Sequence, residues 1–268
     1  MVDTSKFNRY DISPSETVAF TRFLGHHTEL NDLYWSFAPA YHFVRYSTKS
    51  LPPDAVTESE LFLSGPDARR PPTTVKEWRN GIDEFANWAR LGMILSAASY
   101  LEIYMREAIG LALMSDPFAI YGLQHQLDGI KLVKIGKKLR FDDEIQGCCK
   151  GTWKSRVECF SRLFGVVPAA MKENIKELEN IRIMRNSVGH TFGRDIRSYR
   201  AGPTLGLRQR RVSEEKLKRW LSIINVVASG IDDYLGKHHI GSFEYLLIYH
   251  NNKEKMKRGA LGKKDTQG

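Results

Sequence analysis

The sequence has few cysteines and no long apolar run. Its 268 residues include only three cysteines, Cys148, Cys149 and Cys159, and such an odd, sparse set does not form a disulfide scaffold. No stretch approaches the ~18 consecutive apolar residues of a membrane-spanning helix, and we expect no membrane association. The opening segment MVDTSKFNRYDISPSE lacks a hydrophobic core and a small-residue cleavage site, so we expect no signal peptide. These absences favour a protein of the reducing cytoplasm.

The motifs of several enzyme classes are also absent. The sequence contains no phosphate-binding glycine-rich loop, no Walker pattern and no G-x-S-x-G nucleophile motif. The cysteines and His125 do not have the spacing of zinc ligands, and the acidic turn at residues 142–144 is expected to be solvated. We therefore expect neither a metal nor a cofactor.

Helical signals dominate the chain, and strand-like alternation is almost absent. The segment SPSE at residues 13–16 has the pattern of a capping box with proline at the first helical position. It predicts a helical N-terminal region that is interrupted near Gly25 or Pro39. Residues 47–73 are rich in proline, serine and charge, which predicts an irregular connection.

A second capping box, Thr74 with Glu77, predicts the start of a long helix that ends before Asp116. Its apolar residues recur at spacings of three and four, which predicts that they face the core: Trp78, Ile82, Phe85, Trp88, Leu95, Leu101, Met105 and Ile109. Trp35 and Trp220 are also expected at core positions.

Three further helices are predicted downstream. The first covers residues 152–165 and is closed by Gly165, and the last begins with Ser213 as its N-cap and ends at Gly236. The helix between them follows Pro168 and has an apolar stripe made of Ile175, Leu178, Ile181, Met184 and Val188. The prediction is an all-α fold: an up-and-down bundle of four to five helices at residues 73–245, preceded by an extra helical region at 1–72.

Basic residues exceed acidic ones, giving a net charge of +9. The excess favours a polyanionic partner such as a nucleic acid. Residues 194–219 contain nine basic and three acidic side chains, and KLVKIGKKLR at 131–140 contains five basic residues and no acid. The basic tail at 246–268 is expected to be solvated and disordered.

The candidate site is the segment RNSVGH, where the predicted helix rich in apolar residues ends. Arg185 and His190 are separated by four residues, and the same spacing at Arg22 and His27 shows that it is not diagnostic alone. Three features distinguish the first pair. Asn186 adjoins the arginine, the pair ends a well-patterned helix, and a dense basic segment follows.

Together these residues could catalyse RNA cleavage without a metal. A histidine near neutral pKa can take the proton of a 2′-hydroxyl, and an arginine can stabilise the developing phosphorane. Asn186 lies four residues before His190, so it can orient the imidazole or bind phosphate. Arg185 and His190 are five apart, about 140° around an ideal helix, so one chain points them apart unless the helix loosens at Gly189.

The motif Arg185, Asn186, Ser187, Val188, Gly189, His190 resembles that of the HEPN superfamily, over roughly residues 75–245. The segment YLEIYMREAI at 100–109 resembles the long helix of such bundles that contributes a carboxylate, which here would be Glu102. The resemblance implies a homodimer with a composite active site, and products with 2′,3′-cyclic phosphate and 5′-hydroxyl ends.

From this we expect a cytoplasmic, metal-independent endoribonuclease that acts as a toxin or antiviral-defence effector. Its candidate protein partners are an antitoxin or a nucleotidyltransferase. His190 would be the general base, Arg185 the phosphate clamp, Asn186 the orienting residue, and Glu102 a residue that holds Arg185. The side chains expected to bind RNA are Arg194, Arg197, Tyr199 and Arg200.

Two alternatives stay open at the level of sequence. In one, the same bundle is catalytically silent and uses its basic surface to bind nucleic acid or a partner nucleotidyltransferase. In the other, the motif serves the fold: Arg185 pairs with Glu177 or Glu179, Asn186 caps a turn, and His190 is an ordinary helix-end histidine.

Overall fold

The computed structural model describes residues 16–121, 140–191 and 210–262, and most of these residues are helical. They form ten α-helices and no strand, with an isolated antiparallel bridge between Val56 and Thr74 in the irregular connection. The predicted all-α fold class is therefore confirmed. In the described ranges, no helix has both the length and the apolarity needed to cross a membrane.

The helices range from four to forty-one residues. In chain order they are α1 (Val18–Ser47), α2 (Thr57–Glu60), α3 (Val75–Ser115), α4 (Phe118–Tyr121), α5 (Asp142–Cys149), α6 (Trp153–Phe164), α7 (Ala169–Glu173), α8 (Ile175–Thr191), α9 (Glu214–Leu235) and α10 (Phe243–Gly262). A π-helical turn, Gly236–Ile240, follows α9.

The chain divides into two compact units, each assembled from separate segments. The first unit comprises Met1–Leu24, Tyr100–Glu179 and Ile224–Gly268, and the second comprises Gly25–Ser99 and Asn180–Ile223. Helices α1, α3, α8 and α9 each contribute residues to both units. The HEPN-like bundle boundaries at residues 73 and 245 stay a prediction.

The first unit has an aromatic core. Phe20 and Phe23 of α1 pack against Tyr104 of α3, with ring centroids 5.7 and 5.5 Å from the tyrosine ring. Phe160 and Phe164 of α6 pack on each other at 4.8 Å. Burial of these large rings stabilises this unit.

The N-terminus of α1 is held by two buried carboxylates. Asp232 of α9 accepts hydrogen bonds from the backbone N–H and the hydroxyl of Thr17, at 3.1 and 2.5 Å, and from the Tyr104 hydroxyl at 3.1 Å. Glu244 of α10 accepts from the backbone N–H of Val18 at 2.8 Å. Burial raises the pKa of both carboxyls. The carboxylates satisfy N–H groups that have no partner within the helix.

Helix α1 differs from the prediction in its start and its continuity. Its cap is Thr17, whose hydroxyl accepts from the Phe20 N–H at 3.1 Å, and not the segment at residues 13–16. The first three residues of that segment lie outside the described ranges. The helix passes through Gly25 and Pro39 without a break, so the predicted interruption is wrong. Pro39 has no N–H to donate to the carbonyl four residues earlier in the helix. It lies on the exposed face of α1, where water can donate to that carbonyl instead.

In the second unit, α3 anchors the chain that leads into α9. The fully buried Asn87 amide donates to the Arg210 carbonyl and accepts from the Val212 N–H, both at 3.0 Å. Arg90 Nε donates to the Val212 carbonyl at 2.6 Å. The predicted cap of α9 is confirmed, since the Ser213 hydroxyl accepts from the N–H three residues later at 3.2 Å.

Other helix ends also agree with their predicted signals. The capping box of α3 is confirmed: the Thr74 N–H donates to the Glu77 carboxylate and the Glu77 N–H donates to the Thr74 hydroxyl, both at 3.3 Å. The helix ends at Ser115, as predicted. Gly165 closes α6 with a φ of 75°, a conformation that favours glycine.

Three predicted helix ends differ from the structure. The helix predicted after Pro168 is split at Asn174, whose side-chain amide donates to a carbonyl of α7 at 2.9 Å. The last predicted helix does not stop at Gly236, because a π-helical turn continues it to Ile240. The next residue, Gly241, caps this turn with a φ of 54°. The tail predicted to be disordered is helical in its described part, because α10 extends well past residue 246.

The core positions predicted for the aromatic residues are only partly right. Trp220 is buried, whereas Trp35, Phe85 and Trp88 are 44%, 50% and 48% exposed. On this part of α3 the buried residues are Ala86 and Asn87, which lie between Phe85 and Trp88 of the predicted stripe.

Candidate functional site

The candidate site lies on α8, a helix whose buried face is apolar and whose last turns carry the polar motif. Ile181, Met184 and Val188 are buried, in agreement with the predicted stripe. This packing fixes the rotation of the helix about its axis. The side chains of Arg185 and Asn186 are consequently half-buried, and that of His190 is exposed.

The first two motif residues contact each other. Arg185 Nη1 donates a hydrogen bond to Asn186 Oδ1 at 3.2 Å. This contact uses the amide oxygen of Asn186 and leaves its NH₂ group as the end that can donate to another acceptor. The contact joins the arginine and asparagine of α8 into one polar group. The role predicted for Asn186 toward His190 stays a prediction.

Helix α8 does not loosen at Gly189. It continues to Thr191, and a Cβ at Gly189 would lie 3.9 Å from Leu95 Cδ1, so the glycine faces α3 at ordinary packing distance. Because the helix is continuous, Arg185 and His190 project about 140° apart around its axis. One copy of α8 therefore does not direct both side chains at a single phosphate.

Glu102 lies in the other compact unit and accepts a hydrogen bond from Arg156 Nη2 at 3.0 Å. The Arg156 side chain is buried, lies 4.9 Å from the centre of the Trp153 ring and donates through Nε to the Gly151 carbonyl at 3.2 Å. Glu102 thus balances a buried cation of its own unit. The role predicted for it toward Arg185 stays a prediction.

The four side chains predicted to bind RNA, at 194, 197, 199 and 200, lie outside the described residues. The described end of the basic segment is partly paired. Arg211 pairs with Glu84, and Lys218 pairs with Glu214 at 2.8 Å. Arg210 is exposed. In the parts of the chain that the structure describes, no cluster of three His, Cys, Asp or Glu side chains has the arrangement of a metal site.

The second Arg–His pair with the same spacing has structural roles. Arg22 forms an ion pair with Glu107 at 2.7 Å. His27 has a ring nitrogen 3.1 Å from the Leu221 carbonyl oxygen, and burial lowers its pKa. His27 is therefore less exposed than His190.

An aromatic surface lies in the same unit as His190, and three of its residues, Trp35, Phe85 and Trp88, are exposed although they were predicted at core positions. It consists of Trp35, Phe37, Phe85 and Trp88. Phe37 and Phe85 meet edge to face at 5.5 Å, and Phe85 and Trp88 stack at 5.8 Å with planes 15° apart. Lys218 Nζ lies 4.8 Å from the centre of the Trp35 ring. The sequence contained the aromatic residues at helical spacing but no signal of which helix face they occupy.

Searches with the whole chain found no matching family model, no matching curated protein and no matching solved structure. The HEPN resemblance therefore depends on the motif residues and their placement on α8.

Proposed function

We propose that this chain is a metal-independent endoribonuclease of HEPN type that acts as a toxin or antiviral-defence effector. The observation that carries the proposal is the end of α8: an Arg–Asn pair in hydrogen-bond contact, followed within the same continuous helix by an exposed histidine. This combination provides a fixed cation, an orienting amide and a base that solvent and substrate can reach.

In the proposed reaction, neutral His190 takes the proton of an RNA 2′-hydroxyl, and that oxygen attacks the adjacent phosphorus. The Arg185 guanidinium donates to the nonbridging oxygens, where negative charge develops. The bond from phosphorus to the 5′-oxygen then breaks, and the leaving oxygen accepts a proton. The products are a 2′,3′-cyclic phosphate and a 5′-hydroxyl end.

The angular separation along α8 supports a site shared between two copies. Since Arg185 and His190 of one helix project in different directions, a second copy would supply the missing partner. Two such sites related by a twofold axis would result, as an isologous dimer requires. The leaving oxygen takes its proton from water, so each site needs one arginine and one histidine.

The test is incubation of purified protein with mixed tRNA and mRNA in EDTA. Wild type is expected to release fragments with cyclic-phosphate ends. His190→Ala is expected to lower the rate about 10²–10⁴-fold, the usual contribution of general acid–base catalysis. Arg185→Ala is expected to lower it about 10²–10³-fold. His250→Ala, which removes an exposed histidine from α10, is the matched control and should leave the rate unchanged.

The outcomes separate three explanations. Cleavage that persists in His190→Ala excludes this histidine as the base. Cleavage that stops in the presence of EDTA excludes a metal-independent reaction. Retention of RNA without cleavage, equal in wild type and in His190→Ala, favours the silent binding module.

The aromatic surface is the specific observation that favours this second candidate function. The exposed rings of Phe85 and Trp88 stack on each other, as in the platforms on which single-stranded bases stack, and Lys218 lies over the exposed Trp35 ring of the same unit. Trp88→Ala should weaken binding of a single-stranded RNA by ~1–3 kcal/mol if bases stack there. The quenching of tryptophan fluorescence by RNA provides the assay, and a change below the error of the assay would remove this support.

A further inference from the structure

A polar cleft of about 650 Å³ lies on the first unit, between α5, α6 and the loop that joins them. Its lining includes Lys150 and Arg162, which are basic, Glu158, which is acidic, and the sulfur-bearing Cys159. The volume falls in the range typical of small-molecule pockets. The cleft therefore gives small polar solutes from solvent a route to a cysteine that is otherwise only 8% exposed.

The Cys159 sulfur has a built environment on α6. Arg162 Nη2 donates to Cys159 Sγ at 3.5 Å, and the sulfur lies 3.8 Å from the carbonyl oxygen of Glu144. The guanidinium belongs to the next turn of the same helix, so it stays beside the sulfur. A positive charge at this distance stabilises a thiolate.

Helix α5 approaches the same sulfur closely. A Cβ at Gly147 would lie 2.8 Å from Cys159 Sγ, so glycine is what allows the two helices this separation. The next residue, Cys148, is fully buried, so the close approach at Gly147 places a second thiol of α5 near the Cys159 sulfur. Two thiols from neighbouring helices thus lie close together behind the lining of the cleft.

The two thiols differ in acidity. The hydrogen bond from Cys148 and the charge of Arg162 lower the pKa of Cys159 to about 6, against the opposing effect of burial. The hydrogen bond to Cys159 and burial raise the pKa of Cys148. Burial raises the pKa of the third cysteine, Cys149, to about 11. Because these shifts run in opposite directions, Cys159 is the most acidic of the three thiols and the one that ionises first.

We propose that Cys159 and Cys148 form a redox-active pair in which hydrogen peroxide entering the cleft oxidises Cys159 and Cys148 then closes a disulfide between α5 and α6. The proposal is independent of the ribonuclease activity, because neither cysteine belongs to the candidate ribonuclease site. It assigns a role to cysteines whose spacing in the sequence does not fit a zinc site.

The reaction is balanced with peroxide as the oxidant. The Cys159 thiolate attacks one peroxide oxygen, the O–O bond breaks, and hydroxide leaves and takes a proton to become water. Cys159 is now a sulfenic acid. The Cys148 sulfur attacks the Cys159 sulfur, the S–O bond breaks, and the hydroxyl leaves as water with the Cys148 proton. Overall, two thiols and one peroxide give one disulfide and two waters, and a dithiol reductant reverses the change.

The test is oxidation of the full chain with hydrogen peroxide at about pH 7, where a low-pKa thiol is ionised. Remaining thiols are then alkylated, and peptides are mapped by mass spectrometry without reduction. We expect a Cys148–Cys159 cross-link that dithiothreitol reverses, with Cys149 recovered in the alkylated form. A link that includes Cys149, or an unmodified Cys159 at peroxide levels that oxidise free cysteine, would overturn the proposal.

Variants separate the two roles. Cys148→Ser should stop at the sulfenic acid, which dimedone captures on Cys159, and Cys149→Ser should cross-link like wild type. Arg162→Ala should slow alkylation of Cys159 severalfold at about pH 7 but not at about pH 10, where the thiol ionises without help. An equal effect at both pH values would contradict the electrostatic role of Arg162. The wild-type peptide map decides the proposal even if a variant does not fold.

Discussion

Mixing two inactive variants tests whether the proposed active site is shared between two copies of the chain. The variants are Arg185→Ala and His190→Ala, each of which removes one member of the pair. If Arg185 of one copy acts with His190 of the other, a mixed dimer retains one intact site, because the wild-type arginine of one variant meets the wild-type histidine of the other.

The activity expected of the mixture follows from the statistics of dimer formation, given that one chain cannot supply a whole site. The helix is continuous through Gly189, so the two side chains stay about 140° apart and cannot turn toward each other. Random association of equal amounts gives half mixed dimers, and each has one of its two sites intact. Activity should therefore return to about one quarter of the wild-type value per chain, as the symmetry of a closed dimer dictates.

The assay is cleavage of a fluorescently labelled RNA in EDTA after the variants have been co-expressed in equal amounts and purified through a tag that both carry. Each variant alone, at the same total concentration, is the control. Arg185→Ala mixed with a chain that carries both substitutions should stay inactive, because no intact pair can form. If wild type cleaves but the mixture of single variants recovers nothing, the shared site is refuted and Arg185 and His190 act within one chain or not together.

Three further predictions concern stability and the cysteine pair. Asn87→Ala should lower the free energy of unfolding by about 2–4 kcal/mol, because it removes two buried hydrogen bonds to the chain before α9. Urea denaturation measures this change. The control is Asn180→Ala at an exposed position, which should change the free energy of unfolding by less than about 0.5 kcal/mol. Because burial raises the folded-state pKa of Asp232, its contribution to stability is complete below the ordinary value of 3.8 and is lost as the pH rises through the folded pKa. Denaturation at a series of pH values should show this fall for wild type, and Asp232→Asn should show a shallower one; parallel curves would contradict the assignment. Gly147→Ala should displace the Cys159 sulfur and slow peroxide oxidation severalfold, at a cost of about 1–3 kcal/mol in stability, and an unchanged oxidation rate would argue against the close approach of the two helices.

Local signals in the sequence predicted many helix ends correctly. The reciprocal capping box of Thr74 and Glu77, the Ser213 cap and the glycine at 165 each act through atoms a few residues away. Such signals need no knowledge of the rest of the fold. Proline at 39 misled the prediction because its effect depends on exposure, which the neighbouring sequence does not encode.

Signals that depend on distant partners were not predictable in the same way. Spacings of three and four correctly identified α3 as a helix, but Phe85 and Trp88 lie beside the buried stripe and not within it. The bonds of Asn87 to residues more than one hundred positions away have no sequence signature. For the candidate site, the sequence identified the motif and the helix that carries it. The continuity of α8 through Gly189 and the Arg185–Asn186 contact required the structure.

The carboxylates at the start of α1 have a consequence for how the chain acquires its structure during synthesis. Thr17 and Val18 leave the ribosome early, but their partners Asp232 and Glu244 follow 215 and 226 residues later. Until then, the first turn of α1 has no protein acceptors for these amide groups, so the helix start stays open to water or to other binding partners. The first unit can therefore close only after translation has passed residue 244, and nascent chains arrested before that point are expected to expose this end of α1 to proteases and chaperones.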